Sequence, residues 1–204
     1  MAKKTKKTTE RRPVAAARPG PERSPFLRYL PAAFLGLVVL VVAATFIQQQ
    51  RQLKEALSVT HTVNIETSKG MVTVEVYPRL APITVENFEK LVAEGFYDGL
   101  KWHRVEDWVV QTGDPLGTGE GGSPDAIPLE INRALKNRRG MLGMARTNDP
   151  NSATSQFYVL KSDAAWLDGG YAVFGKVVSG MDVIDQLTTE DTIVKATMEA
   201  VAPE

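Results

Sequence analysis

The sequence predicts a mainly β domain, an antiparallel barrel or sandwich with two helices, carried behind a single membrane-spanning helix. Three observations lead there. Residues 62–77 alternate apolar and polar side chains on both sides of a glycine turn, further short apolar runs are separated by glycine-rich loops with only two helical stretches, and residues 29–47 hold no charge. Short strands that outnumber helices favour barrels and sandwiches.

In chain order, the first element is a basic head. The 204 residues balance 24 Lys/Arg against 24 Asp/Glu, but residues 1–28 hold nine Lys/Arg against Glu10 and Glu22, a net +7 that leaves −7 on residues 29–204. With its lysine runs and prolines the head has too little apolar surface to fold and is expected to be disordered. Residues 29–47 follow, almost purely aliphatic from Phe34 to Ala44. About 20 apolar residues cross a bilayer, and Arg28 and Arg51 can snorkel to the headgroups at either end. Cations beside a span stay cytoplasmic. The lipid bilayer is therefore the expected partner of a single-pass signal-anchor at 29–47, with the amino terminus in the cytoplasm and the rest outside. A cleavable signal peptide is the alternative, since Val42 and Ala44 offer a small-residue cleavage pattern, although the apolar run exceeds the usual ~7–15 residues. Residues 48–60 are polar, free of Gly and Pro and rich in helix formers, which reads as a short stalk.

The globular part spans residues 61–204. Residues 62–67 and 71–77 flank Ser68-Lys69-Gly70 as a β-hairpin. Pro82 opens a helix that Gly95 stops, with Val85, Phe88, Leu91 and Val92 on one face to cover a sheet. Short apolar runs at 108–110, 140–144, 156–160 and 172–178 read as strands. A second helix at 181–187 precedes a last strand at 193–198.

Much chemistry is excluded. There is no cysteine, so no disulfide framework, thiolate nucleophile or zinc-thiolate site exists. His61 and His103 lack a spaced partner, which argues against a metal centre. No G-x-S-x-G elbow is present, and the glycine-rich stretch 117–122 lacks the Lys-Ser/Thr of a phosphate loop. An acidic folded part without a basic stripe is a poor nucleic-acid binder.

Four blocks then stand in order. They are Trp102-His103-Arg104-Val105 leading to Gln111-Thr112-Gly113-Asp114-Pro115 and Gly117-Thr118-Gly119; Met144-Ala145-Arg146-Thr147 with Asn151-Ser152-Ala153-Thr154-Ser155-Gln156-Phe157-Tyr158; Trp166-Leu167-Asp168-Gly169; and Val173-Phe174-Gly175-Lys176-Val177. Together they resemble the cyclophilin family of peptidyl-prolyl cis-trans isomerases. The resemblance implies a closed eight-stranded antiparallel barrel with a helix at each end and a proline site on its outer face. Arg104 matches the catalytic arginine, and Gln111 the residue that hydrogen-bonds beside it. Trp108, Val109, Tyr158 and Leu167 match the wall of the proline pocket, Ala145 and Arg146 the segment that pairs with the peptide backbone, and Trp166 the groove's rim. Tyr171 stands where histidine is frequent, Gln156 is expected at the groove, and Phe157 and His103 in structural roles. The segment 105–110 is one residue shorter than usual and acidic, with Trp108 for phenylalanine, Val109 for methionine and, beyond it, Thr112 for glycine.

The expected activity is isomerisation of Xaa-Pro bonds in proline-containing polypeptides during folding outside the cytoplasm. It needs no cofactor or metal, because no covalent bond breaks. The alternative is a non-catalytic module for proline segments or a scaffold in an envelope complex.

Overall fold

The computed structural model describes residues 25–199, with side chains from Phe34 onward. Most of the basic head, whose disorder was expected from composition, lies outside the described residues. The elements are α1 (Pro25–Ser58), β1 (His61–Thr67), β2 (Gly70–Val76), α2 (Pro82–Ala93), β3 (Arg104–Val105), β4 (Val109–Thr112), β5 (Met141–Met144), β6 (Phe157–Leu160), β7 (Val173–Ser179), α3 (Met181–Gln186) and β8 (Ile193–Met198). A single 3-10 turn covers Ala165–Leu167.

Helix α1 starts at Pro25, so residues 25–28, assigned above to the head, are helical. Proline suits a first helical turn because its missing N–H would have no partner there. The large apolar side chains of α1 from Phe34 to Ile47 are exposed. A helix apolar all round and uncovered by protein fits a membrane span or a signal sequence. From Gln48 onward the chain belongs to the globular unit. Residues 48–58, read from the sequence as part of a polar stalk at 48–60, are helical, and Leu53 and Ala56 pack against Tyr77, Leu80, Leu135 and Val173.

The hairpin pairs β1 with β2 from His61↔Val76 to Thr67↔Gly70. Successive side chains on a strand point to opposite faces, so Val63, Ile65, Val72, Val74 and Val76 are buried while their neighbours face outward. In α2 the apolar face of Val85, Phe88, Leu91 and Val92 is buried. Its first free N–H groups, of Ile83 and Thr84, donate to the Glu130 carboxylate at 3.4 and 3.0 Å, an anion at the positive end of the helix dipole.

The eight strands form one antiparallel sheet in the order β3-β4-β6-β5-β7-β2-β1-β8. This corrects the closed barrel: β3 and β8 are the ends of the sheet and do not pair with each other. The gap is stitched by the segment before β3, where Lys101 bridges Thr192, Gly99 N–H donates to the Ile193 carbonyl at 2.7 Å and Ile193 N–H to the Leu100 carbonyl at 2.8 Å. Strand β3 is too short to do this. The chain reverses immediately after it, with Glu106 N–H donating to the Val109 carbonyl at 2.8 Å.

The core fills the curve of the sheet under α2. Phe88 lies at its centre, its ring 5.4 Å from Tyr97, 5.3 Å from Phe157 and 5.2 Å from Phe174. Phe157 is fully buried, the structural placement expected for it. Phe88→Ala would open a cavity among three rings that cannot collapse together, so it should cost about 3–5 kcal/mol. Loss of near-ultraviolet dichroism on heating the full chain in detergent, at a clearly lower temperature than for the unmutated chain, is the check.

Candidate functional site

Strand register builds the site. Arg104 pairs with Gln111, Gln111 with Tyr158 and Tyr158 with Gly143, which sets four residues in one row across β3, β4, β6 and β5. Directly opposed residues share a face, and alternation sends the residues beside them the other way. Val110, Leu142, Met144, Phe157 and Val159 therefore enter the main core, whereas Val109, Tyr158, Leu160 and Ala164 form a separate cluster with Trp108, Ala145, Leu167 and Tyr171 against it. Thr112 falls on the inner face, buried, and its hydroxyl donates to the Lys101 carbonyl at 2.9 Å.

On the outer face is a cleft of about 350 Å³ lined by Arg104, Trp108, Val109, Gln111, Ala145, Arg146, Tyr158, Leu167 and Tyr171. A second cleft of about 430 Å³ shares Gln111, Ala145 and Arg146 and adds Gln156 and the loop 119–123. Trp166 lines neither. It stands exposed at the rim, its ring 5.4 Å from Trp108.

Arg104 is held from two sides. Its Nη1 donates to Gln111 Oε1 at 3.3 Å and its Nε to Glu106 Oε1 at 2.6 Å, with the guanidinium 5.2 Å from the Trp108 ring centre. Among the described residues Nη2 has no acceptor. The arginine's own hydrogen bond holds the Glu106 carboxyl below the usual range. Behind Gln111, its Nε2 donates to Gln156 Oε1 at 2.7 Å, and Gln156 Nε2 donates to the carbonyls of Gly119 and Gly121 at 2.9 and 2.6 Å. An amide offers donors on one side and an acceptor on the other. Two carbonyls facing Gln156 therefore fix its orientation, that fixes Gln111, and Gln111 is left presenting its oxygen to Arg104.

The loop at the head of this chain is organised by Asp114. Its buried carboxylate accepts N–H groups from Leu116, Thr118 and Gly119 at 2.8, 2.9 and 2.6 Å. Burial pushes this carboxyl up, but the backbone donors together overcome it and hold the pKa at about 2. Gly113 precedes it at φ +90°, where a Cβ would collide with the Ser155 carbonyl, so only glycine fits.

The opposite wall is built on Tyr158, whose hydroxyl donates to Asn137 Oδ1 at 2.8 Å. Burial pushes its pKa up, so it stays a neutral donor. Its ring occupies the space that a Cβ on Gly143 would fill and meets Tyr171 edge-on at 6.0 Å. Arg146 donates from Nε and Nη2 to the Gly170 carbonyl at 2.9 and 2.7 Å, and its guanidinium lies 4.8 Å from the Tyr171 ring centre. Burial lowers the pKa of His103 against the pull of Asp114, which leaves a neutral ring.

Of the site residues named from the sequence, all but Trp166 line one of these two clefts, and Trp166 stands at the rim against Trp108. Three supporting residues were not named: Glu106, Asn137 and Gly143. Glu106 lies inside the segment already marked as short and acidic. Asn137 is in a loop without periodicity and meets Tyr158 only through folding.

The cleft on the outer face of the eight-stranded sheet thus joins apolar side chains to two held arginines, Arg104 and Arg146. Residues 62–202 match the family described as cyclophilin type peptidyl-prolyl cis-trans isomerase/CLD. A probable peptidyl-prolyl cis-trans isomerase of Brucella abortus is 38% identical over 174 residues, covering 73% of this chain and 88% of that protein. One from Schizosaccharomyces pombe is 42% identical over 130 residues, 61% of this chain and 83% of its own. A crystal structure of a cyclophilin type isomerase from Cryptosporidium parvum superposes with a TM-score of 0.65 at 28% identity, covering 71% of this chain and all of that one, and the same protein has been crystallised in the presence of the dipeptide Ala-Pro. The chain belongs to the cyclophilin-type peptidyl-prolyl cis-trans isomerases. It is a prolyl isomerase, and proline-containing peptides are its substrates.

The Asp114 carboxyl sits at about 2 in the folded chain against an ordinary 3.8. A depressed carboxyl stabilises the fold above its unfolded pKa and loses that effect as pH falls through its folded one. Asp114→Asn should therefore lower the melting temperature at neutral pH. The difference from the unmutated chain should shrink between about pH 4 and pH 2, as thermal melts across that range would record.

Proposed function

We propose that Arg104 is the catalytic residue and that the chain isomerises Xaa-Pro bonds of polypeptides outside the cytoplasm. The observation that carries the catalytic reading is the row Arg104, Gln111, Tyr158 beside an apolar cleft. A proline ring enters between Val109, Tyr158 and Leu167, with Trp108 and Tyr171 flanking and Trp166 at the rim. Rotation about the imide bond is slow because partial C–N double-bond character raises a barrier of about 18–20 kcal/mol. Arg104 directs its free donors at the carbonyl before the proline and favours a pyramidal imide nitrogen, which removes that character. A lowering of ~7 kcal/mol corresponds to about 10⁵-fold. Gln111 orients the guanidinium and hydrogen-bonds near the substrate, with Gln156 behind it at the second cleft. The Ala145 N–H already donates to the Gln156 carbonyl at 2.8 Å, so the extended peptide pairs with the backbone at Arg146. Donors fixed before the bond twists stabilise the twisted state without reorganising.

The extracytoplasmic reading is supported by the +7 charge before the apolar helix. In it residues 29–47 anchor the chain, residues 48–60 are the stalk, residues 61–204 face the exterior, and the clients are secreted or membrane proteins in the course of folding.

Two measurements test these readings. Arg104→Ala in the full chain should reduce kcat/KM on an Ala-Pro peptide by about 100-fold or more with an unchanged melting temperature. Arg104→Lys should also be poor, because an ammonium cannot reproduce the planar fork of donors. An active Arg104→Ala variant would sink the assignment. For topology, protease added to spheroplasts of a bacterial host should digest an epitope placed after Glu204 and spare one placed after Ala2, with the full-length chain in the membrane fraction. A soluble product starting near Thr45 would establish cleavage of a signal sequence instead.

A further inference from the structure

The turn between β3 and β4 brings three side chains together around one carboxylate. Glu106 Oε1 accepts from Arg104 Nε at 2.6 Å, and Glu106 Oε2 accepts from Trp108 Nε1 at 2.7 Å. The guanidinium held this way lies 5.2 Å from the Trp108 ring centre, and Trp108 meets Trp166 edge-on at 5.4 Å. Arg104 lies in β3, while Glu106 and Trp108 lie in the turn after it, and the reversal closed by the Glu106 N–H on the Val109 carbonyl keeps the three within reach.

As a source of stability this pair is weak. Arg104 and Glu106 are 40% and 44% exposed, and exposed ion pairs contribute little to folding. Its geometry is more telling. An arginine has five N–H donors in a rigid fork, and here Glu106 takes the Nε edge while Gln111 takes Nη1 at 3.3 Å. Two acceptors at different corners stop the fork from turning about its long, flexible stem. Among the described residues they leave Nη2 without an acceptor.

We propose that Glu106 is a positioning residue for the isomerisation: its carboxylate pins the Arg104 guanidinium to the Trp108 wall, so that the donors meet the twisting imide in one fixed orientation. This rests on the reading that Arg104 is the catalytic group. A glutamine at 106 does not reproduce the clamp, because its NH2 would face one of the two N–H donors where an oxygen now stands. An aspartate keeps both oxygens but reaches less far.

The test uses the full chain in detergent, an Ala-Pro peptide and four variants: Glu106→Gln, Glu106→Asp, Trp108→Phe and Arg104→Ala. Glu106→Gln should lower kcat by about five- to ten-fold while KM stays within about twofold and the melting temperature within about 2 °C. Glu106→Asp should recover part of the loss. The Arg104 Nε–H resonance should shift in Glu106→Gln, reporting the lost bond directly. Trp108→Phe keeps an aromatic ring at the wall but removes the N–H bonded to Glu106 together with part of the ring surface. It should shift the same resonance and lower kcat less, and it serves as the read-out if Glu106→Gln folds poorly. An unchanged kcat in Glu106→Gln and Trp108→Phe, or a loss confined to KM, overturns the clamp while an inactive Arg104→Ala leaves the catalytic reading standing. If Arg104→Ala is itself active, the catalytic reading fails first.

Discussion

The outer face of this protein depends on the register between β4 and β6. Gln111 opposite Tyr158 puts a polar group and a ring on the cleft side, and the same pairing puts Val110 and Val159 in the main core. Because side chains alternate with a period of two, a slip of one residue would exchange the two sets. Gln111 and Tyr158 would then turn into the main core, away from their partners Arg104 and Asn137, while Phe157 lost the ring contacts it makes with Phe88, Tyr97 and Trp102. The core therefore fixes the site: the apolar pattern that packs the interior allows only one placement of the cleft.

On that frame the polar groups form a directional chain. Asp114 shapes the loop, the loop carbonyls orient Gln156, Gln156 orients Gln111, and Gln111 meets Arg104. Each link leaves the next group one way to face, so the guanidinium is arranged before substrate arrives. That suits a reaction whose barrier is electronic stiffness in one bond. In the proposed mechanism no covalent bond is made or broken, so donors fixed in place beforehand are the means available to the fold. Even Tyr158 is anchored from behind, by Asn137 and through it Asp168, which lets the ring serve as a wall without moving.

The amino-terminal helix follows a different rule. Its apolar residues from Phe34 to Ile47 are uncovered by protein, whereas Leu53 and Ala56 further along the same helix are packed on the globular unit. Composition changes at Gln48, and the environment each part suits changes with it.

By itself the sequence determined the hairpin, α2, the strands at β4 to β8 and the apolar helix, because each is written in local periodicity, proline and glycine placement or uninterrupted hydrophobicity. It also carried the residues around the clefts, since their order along the chain resembles one family. It did not reveal β3, which is two residues long and has no period to detect, and it left the barrel closed where the fold stitches the gap with residues 99–102 instead. Nor could it show that Arg104 shares Glu106 with Trp108, that Asn137 stands behind Tyr158, or that Gly143 is small because a tyrosine ring lies over it. Those facts belong to tertiary structure. They are contacts between groups whose proximity is set by strand register and loop closure, and no local pattern of residue types encodes a distance.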